Sequence, residues 1–155
     1  MIYSRSAEYA IRAFVQLATV EEGKYAMVKN IAKTSDIPAH FLAKILQQLA
    51  RKGFLRSSKG PTGGFALRMP AEEISMLQLV DSVDGLSDFQ RCPAGMAECN
   101  DQQPCGMHEN WKALRSEIMR YLEETTIAAL AKSMELKRKS VERKAARAKK
   151  ALSKR

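Results

Sequence analysis

Two short helical patterns joined by a tight turn, a glycine-rich hairpin directly after them, and a long amphipathic stripe further on predict a mostly α fold. The combination reads as a winged helix-turn-helix domain with a small β-hairpin wing and a long C-terminal dimerisation helix. The chain of 155 residues suffices for one hydrophobic core with an appendage, not for two large cores.

Ala7, Ala10, Ile11, Phe14, Leu17 and Ala18 fall on one helical face, and Ser4 suits the N-cap of that first helix. Val28 to Thr34 forms a short second helix with Val28, Ile31 and Ala32 inward. After the turn Ser35-Asp36-Ile37-Pro38, a third helix of roughly 14 residues ends before Gly53, with Phe41, Leu42, Ile45, Leu46 and Leu49 inward. Phe54–Ser57 and Phe65–Arg68 read as strands around Ser58-Lys59-Gly60-Pro61-Thr62-Gly63-Gly64, a loop tip that lets backbone approach another molecule. Glu72 to Val83 continues as a helix, and residues 85–106 are irregular. Trp111, Leu114, Ile118, Tyr121, Leu122 and Thr125 then repeat at three and four on a helix of about 20 residues. So long a helix, bearing the only Trp, is explained by pairing with its own copy, which makes Trp111, Leu114, Ile118, Tyr121 and Leu122 the expected dimer interface. Four regions follow: a winged domain over 1–84, a cysteine-bearing loop over 85–107, the dimerisation helix region over 108–131, and a basic tail over 132–155. The tail offers almost no apolar face to bury and is expected to be disordered or transiently helical.

Charge is strongly polarised. Residues 1–70 carry a net +7, residues 71–130 a net −7 and residues 131–155 a net +9. A basic first half beside an acidic second half fits a polyanion-binding module joined to a part that avoids the polyanion. No apolar run approaches a membrane span and the first residues lack a signal-peptide core, so the expected location is cytoplasmic. Enzyme classes are excluded by motif: there is no nucleophile elbow or dinucleotide fingerprint, and Gly60 to Gly64 lacks the ending a phosphate loop needs.

The third helix presents Ala39, His40, Ala43, Lys44, Gln47, Gln48 and Arg51 outward, the set expected to meet double-stranded DNA in the major groove. His40, Ala43 and Lys44, near its start, are the expected base readers; Gln47, Gln48, Arg51 and Lys52 are expected on phosphate. The wing, with Arg56, Lys59, Gly60, Pro61, Gly63 and Gly64, is placed for the minor groove. Two copies would read a pseudo-palindromic operator.

Cys92, Cys99, Cys105 and His108 follow one another through six, five and two intervening residues, in a polar segment without apolar periodicity. Thiolates are soft ligands suited to zinc or iron-sulfur clusters, and the loop's glycines and prolines let it fold round a metal. The spacing does not match the paired knuckles of structural zinc sites. Open alternatives are a nucleic-acid-binding protein with structural zinc and a metal-free regulator sensing redox through its thiols.

Ser4 to Leu17, the Ile37 to Leu49 helix, Lys59-Gly60-Pro61-Thr62-Gly63-Gly64-Phe65 and the three-cysteine loop followed by His108 and Trp111 resemble the Rrf-two family of bacterial winged-helix transcription regulators, over roughly residues 1–130. The likeness is to its iron-sulfur members of the IscR and NsrR types. It implies a homodimeric repressor or activator whose 2Fe-2S or 4Fe-4S cluster, on Cys92, Cys99 and Cys105 with a non-cysteine fourth ligand, senses iron, redox state or nitric oxide. His108 matches the histidine position of the first type. Glu8 matches a carboxylate position of the second, where the partner subunit supplies the ligand.

Overall fold

The computed structural model describes residues 2–152, with the backbone alone for 146–152. In order come α1 (Arg5–Leu17), α2 (Val28–Ser35), α3 (Ala39–Arg51), β1 (Leu55–Ser58), β2 (Gly64–Leu67), α4 (Met76–Asp84), the short α5 (Ser87–Gln90), α6 (His108–Glu124) and α7 (Ile127–Leu152). The architecture is mostly helical, with one two-stranded antiparallel sheet forming the wing.

Helix α1 lies at the centre. Ser4 caps it, its Oγ accepting from the backbone N–H of Ser6 and Ala7, while its own N–H and hydroxyl donate to the Asp84 carboxylate at 2.8 and 2.5 Å. The start of α1 is thereby tied to the end of α4. Ala7, Ala10 and Ala13 are fully buried, and such small residues let neighbouring helices approach closely. Phe14, Leu42, Leu46, Leu49, Leu79 and Val80 fill the core, and Phe54 meets Phe14 edge-on with ring centroids 6.3 Å apart.

Helix α2 ends at Asp36, whose backbone is left-handed (φ 51°), and Ile37 turns back into the core with its N–H on the Ala32 carbonyl at 2.9 Å. In the wing, Leu55 faces Leu67 and Ser58 faces Gly64. A bridge fixes the wing to the rest: Ala26 and Phe65 exchange two backbone hydrogen bonds of 2.9 Å each.

The expected helix over Glu72 to Val83 is divided. A 3₁₀ turn (Ala71–Glu73) gives way to extended Ile74, and α4 restarts from Ser75, where Ser75 and Gln78 form a reciprocal capping box. Ile74 leaves the helix because its carbonyl accepts from the Ile127 N–H at 2.8 Å, while Met76 donates to Thr125 at 2.9 Å. The same crossing ends α6 after 17 residues. Thr125 is extended, Thr126 bridges Ser75, and α7 starts with Ile127 fully buried in the core.

Of the two expectations for the basic tail, disordered or transiently helical, the structure shows helix. Residues 132–152 continue α7 as helix, with Lys139 and Glu135 paired at 2.5 Å and Arg138 and Glu142 at 3.7 Å. Ile127 and Leu130 anchor the first turn to the core, so nucleation is already achieved and a sequence rich in Ala, Lys and Arg propagates it. From Lys132 to Ala145 every side chain is exposed, in keeping with the missing apolar face. Residues 153–155 of that expectation lie outside the described residues. Among the described residues no helix is long and apolar enough to cross a membrane.

Candidate functional site

At about 100° per residue, His40, Lys44, Gln47 and Arg51 fall on one line directly opposite the buried Leu42, Ile45, Leu46 and Leu49. All four are exposed, as is Ala39, while Ala43 is half-buried. Between this face and the wing runs an open groove of about 680 Å³, walled by Gln47 and Arg51 of α3, Ser57 and Lys59 of the wing, and Met27 and Val28 at the start of α2. Cations thus stand on both walls of a channel open to solvent.

Four residues differ from their expected places. Phe41, read as inward, is 54% exposed and stacks on His40 with ring centroids 4.4 Å apart. It lies at the edge of the inward arc and in the first turn of α3, where the core no longer reaches. Gln48 and Lys52 are on the flank away from the groove, both donating to the Ser82 carbonyl, at 3.0 and 2.7 Å. They clamp α3 to α4 instead of pointing outward. Arg56 alternates away from the groove, which Leu55 and Ser57 line, and its guanidinium donates to the Leu67 carbonyl at 3.3 Å.

The wing glycines divide by role. Gly60 (φ 105°) and Pro61 are at the exposed tip. Gly63 is buried, and a Cβ there would strike the Ser58 carbonyl; one on Gly64 would strike the Ala26 carbonyl. These two close the wing onto itself and onto the α1–α2 connection. Sequence reasoning missed Met27, Val28, Ser57 and Ser58 as groove residues, for which an uncharged run carries no signal.

The loop between α5 and α6 brings the three cysteines to one place. Cys92, Cys99 and Cys105 are each half-buried, with free thiols. The Met96 N–H chiefly holds the Cys92 thiol below its ordinary value; burial opposes this, and the Ala94 N–H and the neighbouring thiols of Cys105 and Cys99 add to it. His108 opens α6, only 3% exposed, its N–H on the Cys105 carbonyl at 2.9 Å. Its Nδ1 is 3.5 Å from Cys99 Sγ and its Nε2 is 2.8 Å from Asp101 Oδ1. Lys112, one turn on, reaches the same Asp101 oxygen at 2.7 Å. The ammonium first, and His108 second, hold the Asp101 carboxyl at about 2.

Three thiols and an imidazole are a donor set that suits an iron-sulfur cluster. Among the described residues, the set whose ligand atoms all lie within 4.8 Å of one another is Asp101, His108 and Glu109, not the cysteines. Within that set Lys112 claims the Asp101 carboxylate. Glu8 does not join the cysteines within the chain. Its carboxylate pairs with Arg12 at 3.2 Å; burial first, then Tyr121 and Glu8, raise the Tyr3 phenol.

Helix α6 offers two faces. Leu122 is fully buried in the chain's own core and Ile118 packs against that core, so Leu122 leaves the expected interface set. Met107, Leu114 and Tyr121, seven residues apart, are 53%, 54% and 52% exposed. Trp111 is half-buried beside them, its indole N–H without an acceptor among the described residues.

A family profile described as an iron-dependent transcriptional regulator, Rrf2, matches residues 3–133. A protein of Aquifex aeolicus named as an HTH-type transcriptional regulator is 32% identical over 132 residues, which cover 84% of this chain and 91% of that one. IscR of Vibrio atlanticus, an HTH-type transcriptional regulator, is 26% identical over 136 residues, 88% of this chain and 78% of that one. Among solved structures, CymR of Bacillus subtilis, a global cysteine regulator, superposes with a TM-score of 0.70 at 22% identity, covering 84% of this chain and 95% of that one.

Proposed function

This chain belongs to the Rrf2 family of transcriptional regulators, a non-enzymatic family, and from that premise we propose that it is a DNA-binding homodimer whose operator affinity is set by an iron-sulfur cluster on Cys92, Cys99, Cys105 and His108. The observation that carries the cluster is the convergence of the three thiols with the Nδ1 of buried His108. The spacing of the three cysteines, with six and five residues between them, does not match the paired knuckles of structural zinc sites, which supports a cluster over a single zinc. When bound, the cluster supplies a redox-active and nitrosylatable centre that cross-links the loop.

The chain's own residues do the rest. His40, Ala43 and Lys44 read base edges while Gln47, Arg51 and the wing's Lys59 straddle a phosphate strand in the groove. Met107, Leu114, Tyr121 and Trp111 pair with their copies and set the distance between two reading heads. The loop joins α4 and α5 to α6, and α4 packs on both α6 and α3, so ordering the loop bears on where each head sits. A coupling of about 1–3 kcal/mol gives roughly a 5- to 150-fold change in affinity, enough for a genetic switch.

Anaerobic purification with iron and sulfide assays and an absorption spectrum is the test, on the native chain and on Cys92→Ala. Brown protein containing iron and sulfide, lost in the variant, is expected. Colourless protein with stoichiometric zinc, or colourless protein that reversibly forms disulfides, would replace the cluster by structural zinc or thiol sensing. Arg51→Ala is expected to weaken binding to operator and non-specific duplex alike by about three- to tenfold, and to lower the salt slope by about one, as loss of one phosphate contact requires. Titrations at several salt concentrations check it; an unchanged slope would remove Arg51 from the contact.

A further inference from the structure

Resting on the cluster reading above, we propose that Asp101 is a positioning residue: it fixes His108 in the tautomer whose bare Nδ1 faces the thiols, and Lys112 holds Asp101 in place.

His108 has almost no contact with water, so its two ring nitrogens are governed by what the protein puts against them. On one side stands Asp101 Oδ1, 2.8 Å from Nε2. An ionised carboxylate only accepts, so Nε2 carries a hydrogen, and the proposed tautomer leaves the lone pair on Nδ1. That atom is the one 3.5 Å from Cys99 Sγ, where a reduced thiol donates to it and a metal would replace the thiol's hydrogen. Reversing the tautomer would aim an N–H at Cys99, and reversing the ring would aim a C–H; either removes the fourth donor.

Asp101 is exposed, and an exposed carboxylate on a loop would not by itself select a tautomer. Two arrangements restrain it. Lys112 Nζ is 2.7 Å from the same oxygen that holds His108, and both partners project from the first turns of α6. On the loop side, the Asn100 side-chain oxygen accepts from the N–H groups of Gln102 and Gln103, at 3.2 and 2.9 Å, closing a turn round Asp101. Glu109 also stands near the ring but makes no hydrogen bond to it, which makes Glu109→Gln the control. Carboxylates behind ligating histidines raise ligand basicity, and their loss commonly costs 10- to 100-fold in metal affinity.

The chain contains two histidines, so ¹⁵N-histidine labelling gives two ring spectra, and His40→Ala assigns them. In reduced protein free of metal, His108 is expected as the Nε2–H tautomer, turning to a mixture in Asp101→Ala and unchanged in Glu109→Gln. In cluster-loaded protein, Asp101→Ala is expected to lose iron to a chelator about 10- to 100-fold faster than the native chain, with weakened nitrogen hyperfine coupling in the reduced state, and Asp101→Asn to fall between. Should Asp101→Ala fail to fold, the native tautomer and Asp101→Asn still decide. An Nδ1–H tautomer or a doubly protonated ring in native protein, or an Asp101→Ala spectrum matching native, overturns the proposal. The ring measurement needs no metal, so a chain that takes up no iron while keeping the Asp101-dependent tautomer sinks the cluster reading and leaves the Asp101–His108 pair standing.

Discussion

Gly64→Ala is expected to lower the free energy of unfolding by about 2–4 kcal/mol and to disconnect the wing. Gly64 starts β2 with φ +151°, where an added Cβ runs into the carbonyl of Ala26. The obstacle is backbone, and that carbonyl accepts from Phe65 while Ala26 donates back, so it cannot retreat without breaking the bridge. Backbone strain of about 1–3 kcal/mol adds to about 1 kcal/mol for each hydrogen bond weakened. Gly60 is the internal control: its φ is +105°, yet a Cβ there meets nothing within 4 Å, so Gly60→Ala should cost only the conformational part, about 1–2 kcal/mol. Urea denaturation followed by circular dichroism measures both, and equal losses would show that the collision with Ala26 is not what makes glycine necessary at 64.

Leu114→Glu together with Tyr121→Glu is expected to convert the dimer to monomer at micromolar concentration. Each side chain is about half exposed in the isolated chain, and complete burial of a large apolar side chain is worth about 1.5–3 kcal/mol. A two-fold interface counts every substitution twice, so even partial burial places the loss on the order of 3–6 kcal/mol, or roughly 10²- to 10⁴-fold in dissociation constant. Neither residue belongs to the buried core, so circular dichroism should stay native-like. Sedimentation velocity reads the mass directly. Operator affinity should fall with dimerisation while a single half-site is bound as before; an unchanged dimer would move the interface away from this stripe.

The helix-turn-helix was legible because burial on α3 follows the 3.6-residue period through Leu42, Leu46 and Leu49, and the wing because a glycine-rich tip separates its two short strands, of which β1 is buried only at Leu55. Periodicity fails at edges. Phe41 looks inward by spacing yet lies in the first turn of α3, beyond the reach of the core. On α6 a single stripe of spacing three and four covers two neighbouring arcs, one taken by the chain's core at Ile118 and Leu122, the other left outward at Met107, Leu114 and Tyr121. Gln48 and Lys52 carry the signature of phosphate ligands, and only the position of the Ser82 carbonyl shows that they are engaged. The cysteines and His108 were readable from residue type and spacing. Asp101 was not, since among Glu98, Asn100, Gln102 and Gln103 nothing in composition marks one polar residue as the partner of a buried ring.

The return of the chain at Thr125–Ile127 bears on how such proteins can be recombined. A segment ending at residue 84 would contain every reading residue of α3 and the wing, but it would lack Leu122 and Ile127, which are packed at the centre of its own interior, and the strand-like clasp to Ile74 and Met76. The reading head is therefore not a transplantable cassette. Chimaeras that exchange operator preference between relatives should keep the first turn of α7 with the head, or exchange only the outward side chains of α3 and leave the interior of one parent whole.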